Sequence, residues 1–202
     1  MKRLYAKNND YTIFATQSVM NKDDAIVAKM RQVEPTLLGK KLVNYERNGI
    51  RRVWVPYYYM TYDYEVIRNV FFNKSKSFNR RGKLAVVYDV NEMHAFHYDL
   101  DAEDELPLVR KNIDSIEGSI LPDKDIEEIR ANAERSVQRQ ILWKAYKMEG
   151  KLKPIKTVKF FREAWELDLK YKDRTFIKYA YLDKYGIHDE KARGLTARLE
   201  NM

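Results

Sequence analysis

Apolar residues recur along this chain with two different periods, and the switches between them mark its elements. Over residues 21–33, Ala25, Ile26, Met30 and Val33 share one face at helical spacing, and Asn21 stands where a cap would accept from Asp24. This predicts a short helix, stopped by Pro35 and Gly39. Residues 42–47 and 50–55 flank Asn48-Gly49 and predict a hairpin, because Asn-Gly supplies the positive φ angles of a type I′ turn. Pro56 cannot donate to a ladder, so a bulge or edge position is expected there, and residues 57–67 continue extended with dense aromatic and β-branched content. Arg80-Arg81-Gly82 reads as a polar loop. Residues 83–90 and 94–100 read as another hairpin across Asn91-Glu92-Met93.

The second half follows a similar order. Asp125 with Glu128 forms a capping-box pattern, and Ile126, Ile129, Ala133, Val137, Ile141, Ala145 and Met148 recur at helical spacing up to Gly150. Trp165, Leu167, Leu169 and Tyr171 then alternate with Glu166, Asp168 and Lys170; Lys172-Asp173-Arg174 turns the chain, and residues 176–182 form the partner strand. A short terminal helix is expected over residues 189–199. Residues 53–64 correspond loosely to 158–169, and 84–90 to 177–183, which suggests a duplicated helix-plus-hairpin unit. The run Tyr181-Leu182-Asp183-Lys184-Tyr185-Gly186 ends such a unit in an Asp-x-x-Gly turn, and in this it is similar to PepSY-type and cystatin-like modules. The fold class is therefore α+β, with antiparallel sheet or sheets of long hairpins packed against helices in a duplicated, cystatin-like plan. The expected domains are residues 1–106 and 107–202, or one continuous domain.

Composition narrows the class. With 45% hydrophobic and 34% charged residues, the 202-residue chain belongs to neither the disordered nor the membrane-bundle class, and no apolar run is long enough for a spanning helix. The N-terminal stretch lacks the core of a signal peptide, so a cytoplasmic location is expected. The absence of cysteine excludes disulfides, thiol nucleophiles and cysteine-ligated metal sites. The net charge of +8 is uneven: residues 40–83 are strongly basic, residues 99–128 strongly acidic, and the remainder basic again. Such a layout attracts polyanions, and it equally serves as a solvated surface.

Candidate chemistry is sparse. His94 and His97 stand three apart, which on a strand aims them at opposite faces, so neither they nor His188 is expected to hold a metal. The acidic run 99–105 lacks the glycine that an EF-hand loop needs, and reads as solvated linker. Gly-x-Ser-x-Gly, phosphate-loop, dinucleotide and His-Glu-x-x-His motifs are all missing, so no catalytic residue and no cofactor is assigned. The carboxylate pairs Asp63/Glu65 and Glu166/Asp168 share strand faces and are expected to meet solvent. Lys151, Lys153, Lys156, Lys159 and Arg162 could steady the long helix's C-terminal end or contact a polyanion.

The most distinctive stretch is 54–64. Alternation places Trp54, Tyr58, Tyr62 and Tyr64 on one strand face, with Arg51, Arg52 and Arg68 close in sequence; these seven are the candidate binding residues. Rings can stack bases while guanidinium groups take phosphates, or they can grip a protein or peptide; tyrosine is also an ordinary strand residue. Three function classes stay open: a non-enzymatic module for a protein or peptide partner, a nucleic-acid-binding protein using the 40–83 lobe, and an enzyme with an unrecognised site. Exposed hairpin edges leave monomer and homodimer both open.

Overall fold

A computed structural model describes residues 12–34, 36–38, 40–68, 78–98 and 106–183, with the side chains of Thr36, Arg68, Phe78 and His97 left out. It is a mixed α+β structure with a large, mostly antiparallel sheet. The strands are β1 (Thr12–Ala15), β2 (Thr36–Leu37), β3 (Lys40–Lys41), β4 (Glu46–Arg68), β5 (Phe78–Asp89), β6 (His94–Tyr98), β7 (Val109–Asn112), β8 (Ser119–Ile120), β9 (Lys151–Tyr171) and β10 (Arg174–Tyr181). The helices are α1 (Lys22–Val33) and α2 (Ile126–Ser136), the latter continuing through a π-helical stretch, Val137–Leu142, into α3 (Trp143–Tyr146). The predicted helix over 189–199, the acidic run 99–105 and His188 lie outside the described residues.

The chain divides into two compact units. The first comprises the described residues of Met1–Val55, Pro107–Ile120 and Phe161–Lys184; the second comprises those of Pro56–Leu106 and Leu121–Phe160. Each unit thus draws on both sides of residue 106, and strands β4 and β9 each run from one unit into the other.

In the first unit β10 pairs antiparallel with β9 from Tyr171↔Arg174 to Ala164↔Tyr181, the hairpin expected from the alternation. Its turn places Lys172 at φ 55°. Strand β1 pairs antiparallel with β7 and touches β9 in parallel at Ala15↔Phe161. Helix α1 begins as expected, with the Asn21 side chain accepting from the Asp24 amide at 2.9 Å. Its Ala25 and Ile26 bury against Leu167, Leu169, Ala180 and Leu182, with Met30 and Val33 alongside.

In the second unit β4 and β5 pair antiparallel from Tyr57↔Asp89 to Arg68↔Phe78, and β6 extends the set from Ala85↔Tyr98 to Asp89↔His94. Asp89 fixes the β5–β6 turn by accepting from the amides of Asn91 and Glu92. Tyr58, Met60, Tyr62 and Val66 lie on the face that meets Leu84, Val86 and Tyr88, and Ile129, Ala133, Val137 and Leu142 of the helical run close over them. Asp125 caps α2 by accepting from Glu127 and Glu128, as its sequence predicts.

Two expectations change and two are refined. Asn48-Gly49 is no turn: it sits inside the 23-residue strand β4, Gly49 has no positive φ, and its missing Cβ faces Asp168. Long-range pairing outweighed the local turn signal, which is worth little when strands from elsewhere offer full ladders. Arg80-Arg81-Gly82 is strand rather than loop, with Gly82 opposite Tyr64. A Cβ at Gly82 would lie 3.0 Å from the Tyr64 ring, so glycine there serves a close approach and not a bend. Pro56 precedes the first β4–β5 pair at Tyr57↔Asp89 and therefore costs that ladder no rung. Finally, the apolar stripe of the long helix gains Leu142, 1% exposed, beside the expected Ile141, which also packs on the core, because the π-helical stretch sets Val137 and Leu142 five residues apart on one face.

Candidate functional site

Six of the seven sequence candidates separate into buried or half-buried rings and paired cations. Trp54, Tyr58 and Tyr62 are 1%, 4% and 2% exposed. In the first unit the Trp54 indole donates to the Glu117 carbonyl at 2.9 Å and packs with Ala15 and Phe161. In the second, the Tyr58 hydroxyl donates to Asp123 Oδ2 at 2.6 Å, where Lys159 also binds, and Tyr62 donates to Met60 Sδ at 3.2 Å. Tyr64 is half-buried, its hydroxyl 3.0 Å from that of Tyr146. Burial pushes the phenols of Tyr58 and Tyr62 well above their ordinary value and that of Tyr64 up to about 12, so all three stay neutral. Arg68 closes β4, and its side chain lies outside the described atoms.

Arg51 and Arg52 belong to the first unit, and carboxylates engage both. Arg51 Nε and Nη2 donate to Glu166 at 2.6 and 3.1 Å, a bidentate grip that raises the guanidinium's proton affinity further. Arg52 bridges Glu163, with Nε at 2.5 Å, and Glu117. Glu163, 3% exposed, also accepts from Ser18 at 2.5 Å, with Lys111 Nζ at 4.0 Å. Glu166 is 7% exposed and so does not meet solvent as alternation suggested; Arg51 supplies the partner that makes its burial tolerable.

Arg162 is likewise no part of a basic surface. It is 2% exposed, donates to Asp183 from Nε at 2.8 Å and Nη2 at 2.7 Å, and stacks 3.8 Å over the Tyr181 ring, while Thr16 donates to the same carboxylate at 2.6 Å. Lys151, Lys153, Pro154 and Lys156 lie at the start of β9, where among the described residues the β1 contact reaches only Phe161. Lysines and a proline along such an edge discourage strand addition. No group of three or more metal-ligating side chains converges among the described residues, and His94 packs against Phe96 with ring centroids 4.5 Å apart.

The concave feature that pattern reading missed lies in the first unit, beside α1. There a groove of about 440 Å³ runs between the helix and residues 41–47. Its floor is Ile26, Val27 and Met30, the flank of α1 next to the face that packs on the sheet. Tyr45 forms the far wall, held edge-on to Phe176 at 5.9 Å and tilted against Tyr171 at 5.7 Å. Arg31, Lys41 and Arg47 stand around it. Glu34 ties the two walls together. It ends the helix, donating its own N–H to the Met30 carbonyl, while its carboxylate accepts from Tyr45 N–H at 2.8 Å and Lys41 Nζ at 2.5 Å. Burial would raise its pKa, but the Lys41 and Tyr45 hydrogen bonds and the charges of Lys41 and Arg47 outweigh that and hold it below the ordinary value. Chemically the groove is an apolar slot ringed by cations, whose one carboxylate is already satisfied. The only sequence sign of it was Val27 and Arg31 beside the core stripe of α1, with cations at Lys41 and Arg47.

No family model, no curated protein and no solved structure matches this chain.

Proposed function

We propose that the chain is a non-enzymatic binding module whose groove beside α1 takes a short acidic peptide carrying an apolar side chain. One observation carries this reading: the slot offers Ile26, Val27 and Met30 to an apolar group, while Arg31, Lys41 and Arg47 face it with only Glu34 to balance them. Desolvating an aliphatic side chain supplies affinity, and the unmatched positive charge selects an anionic neighbour. The tyrosines of β4 act in this reading as core rather than contact surface, since their hydroxyls already have partners. The nucleic-acid reading has less support, because Arg51 and Arg52 are held by carboxylates. The duplicated-unit reading draws its support from the order of elements, a helix followed by long paired strands in each half: α1 then β4–β5, and α2 then β9–β10.

The test is fluorescence anisotropy with a labelled peptide alternating glutamate and leucine, its lysine-for-glutamate counterpart, and a single-stranded oligonucleotide. Saturable binding of the acidic peptide is expected, weakening as salt rises. Val27→Glu and Arg31→Glu, both at exposed positions, are each expected to lower its affinity about tenfold. Equal binding of both peptides, or oligonucleotide binding that Arg31→Glu leaves intact, would refute the proposal.

A further inference from the structure

Beyond the groove, the hairpin that leads into it exposes an unusual tip. Strands β2 and β3 are two residues each, paired Thr36↔Lys41 and Leu37↔Lys40. Leu37 is 61% exposed, Leu38 96% and Leu42 58%. Leu38 also occupies the left-handed region at φ 50°, a conformation that asparagine or glycine takes far more readily than leucine. A turn selected for folding alone would place a small polar residue there. Lys40 stands two residues on and is exposed with no described carboxylate partner, whereas Lys41 beside it is held by Glu34.

We infer that this tip docks the protein onto an anionic lipid bilayer, with Leu37, Leu38 and Leu42 entering the headgroup boundary and Lys40 meeting acidic headgroups. The shape favours a bilayer over a folded partner. Leu38 stands in the turn, with Leu37 in β2 and Leu42 just after β3, so the leucines are spread along a short hairpin, whereas an apolar contact with a folded protein needs a matching pocket on the other side. A deformable apolar medium needs none. Two-residue strands carry the turn about 7 Å forward, which matches the roughly 5–10 Å depth at which interfacial apolar groups rest. The charge fits as well, because lysines beside an inserting element are drawn to the negative leaflet surface. Three leucines and one unpaired lysine make a weak, reversible anchor that requires both kinds of contact.

The experiment is co-sedimentation of the full chain with vesicles of phosphatidylcholine alone and with vesicles carrying phosphatidylserine, at low and high salt. Retention is expected on the phosphatidylserine vesicles only, and is expected to decline with salt. Leu38→Asn is the informative variant: asparagine suits the left-handed backbone, so thermal stability should hold or rise, while partitioning falls about tenfold. Lys40→Glu should weaken retention several-fold, and Val27→Glu in the groove should leave it unchanged. No retention at low salt overturns the inference. So does retention that Leu38→Asn leaves intact, which would be charge attraction alone, and so does an absence of vesicle binding together with loss of acidic-peptide binding in Leu38→Asn, which would give the tip to the groove's partner.

Discussion

In the second unit the helical run of α2 closes over Tyr58, Met60, Tyr62, Leu84, Val86 and Tyr88, a face that is apolar apart from phenol hydroxyls at its margins. The first unit sets α1 on an equally apolar face of β9 and β10, yet around that core it buries Glu34, Arg162, Glu163, Glu166 and Asp183. Among the described residues the second unit buries a single charged side chain, Asp89, which is spent on a turn. Two ways of specifying an antiparallel sheet are therefore present in one chain. Apolar packing stabilises in proportion to area and tolerates volume-conserving exchange, whereas a bidentate ion pair adds little net stability but accepts only one register.

The largest expected effect comes from breaking the register device. Arg162→Met leaves Asp183 buried with only the Thr16 hydroxyl, and is expected to cost about 3–5 kcal/mol, read as a lower urea midpoint. The double variant Arg162→Met with Asp183→Leu should recover most of that loss, since the desolvation cost of both charges disappears together. A single-variant cost under about 1 kcal/mol would show the pair to behave like an exposed one, and the contrast between the units would then fail.

A smaller effect separates the units by pH. Tyr58, Tyr62, Tyr64 and Tyr88, all in the second unit, have phenol pKa values raised mainly by burial. Raised folded values mean that their contribution is complete below the unfolded value near 10.0 and is lost as pH climbs towards about 12, the value for Tyr64, and beyond. Glu34 in the first unit and Asp123 in the second work in the opposite sense. Their lowered pKa values give stability that is present above 4.5 and 3.8 respectively and lost as pH falls through the folded values, so the first unit responds earlier in acid. Hydrogen exchange followed across pH should therefore show β4–β5 amides losing protection first in alkali, and the amide of Tyr45 losing it first in acid. Loss of both sets at the same pH would sink the distinction.

How legible all this was depended on whether a signal was local. Caps at Asn21 and Asp125, the alternation through Trp165, Leu167 and Leu169, and the 91–93 turn lie within a few residues of what they specify, and the structure has each of them. Gly49 and Gly82 misled because their reason is a side chain far away in sequence: Asp168 for one, the Tyr64 ring for the other. Arg162 and Asp183 read as parts of a charged tail and of a turn, since nothing near either residue announces a partner 21 positions distant. The groove was equally hidden, because it needs Tyr45 to be pinned by Phe176 and Tyr171 before it has a wall. The β4 tyrosines were placed on the correct face, but pattern alone does not say whether such a face meets a helix or a ligand.

The smallest expected effect sharpens the comparison from the other side. Tyr62 is 2% exposed and its hydroxyl donates only to the Met60 sulfur, a weak acceptor, at 3.2 Å. Tyr62→Phe keeps the ring that packs against the helix and removes a bond that barely offsets the cost of burying the hydroxyl. The change at neutral pH is expected to lie within about 0.5 kcal/mol of zero. A polar group in the first unit cannot be deleted so cheaply if Arg162 behaves as argued. The variant also removes one of the phenols that must ionise in alkali, so its unfolding midpoint should move to higher pH even while its urea midpoint at pH 7 stays put. A shift in the urea midpoint with none in the alkaline one would reverse the assignment: the hydroxyl would then be a structural contact of the kind found in the first unit, and burial of the ring would not be what holds the phenol neutral.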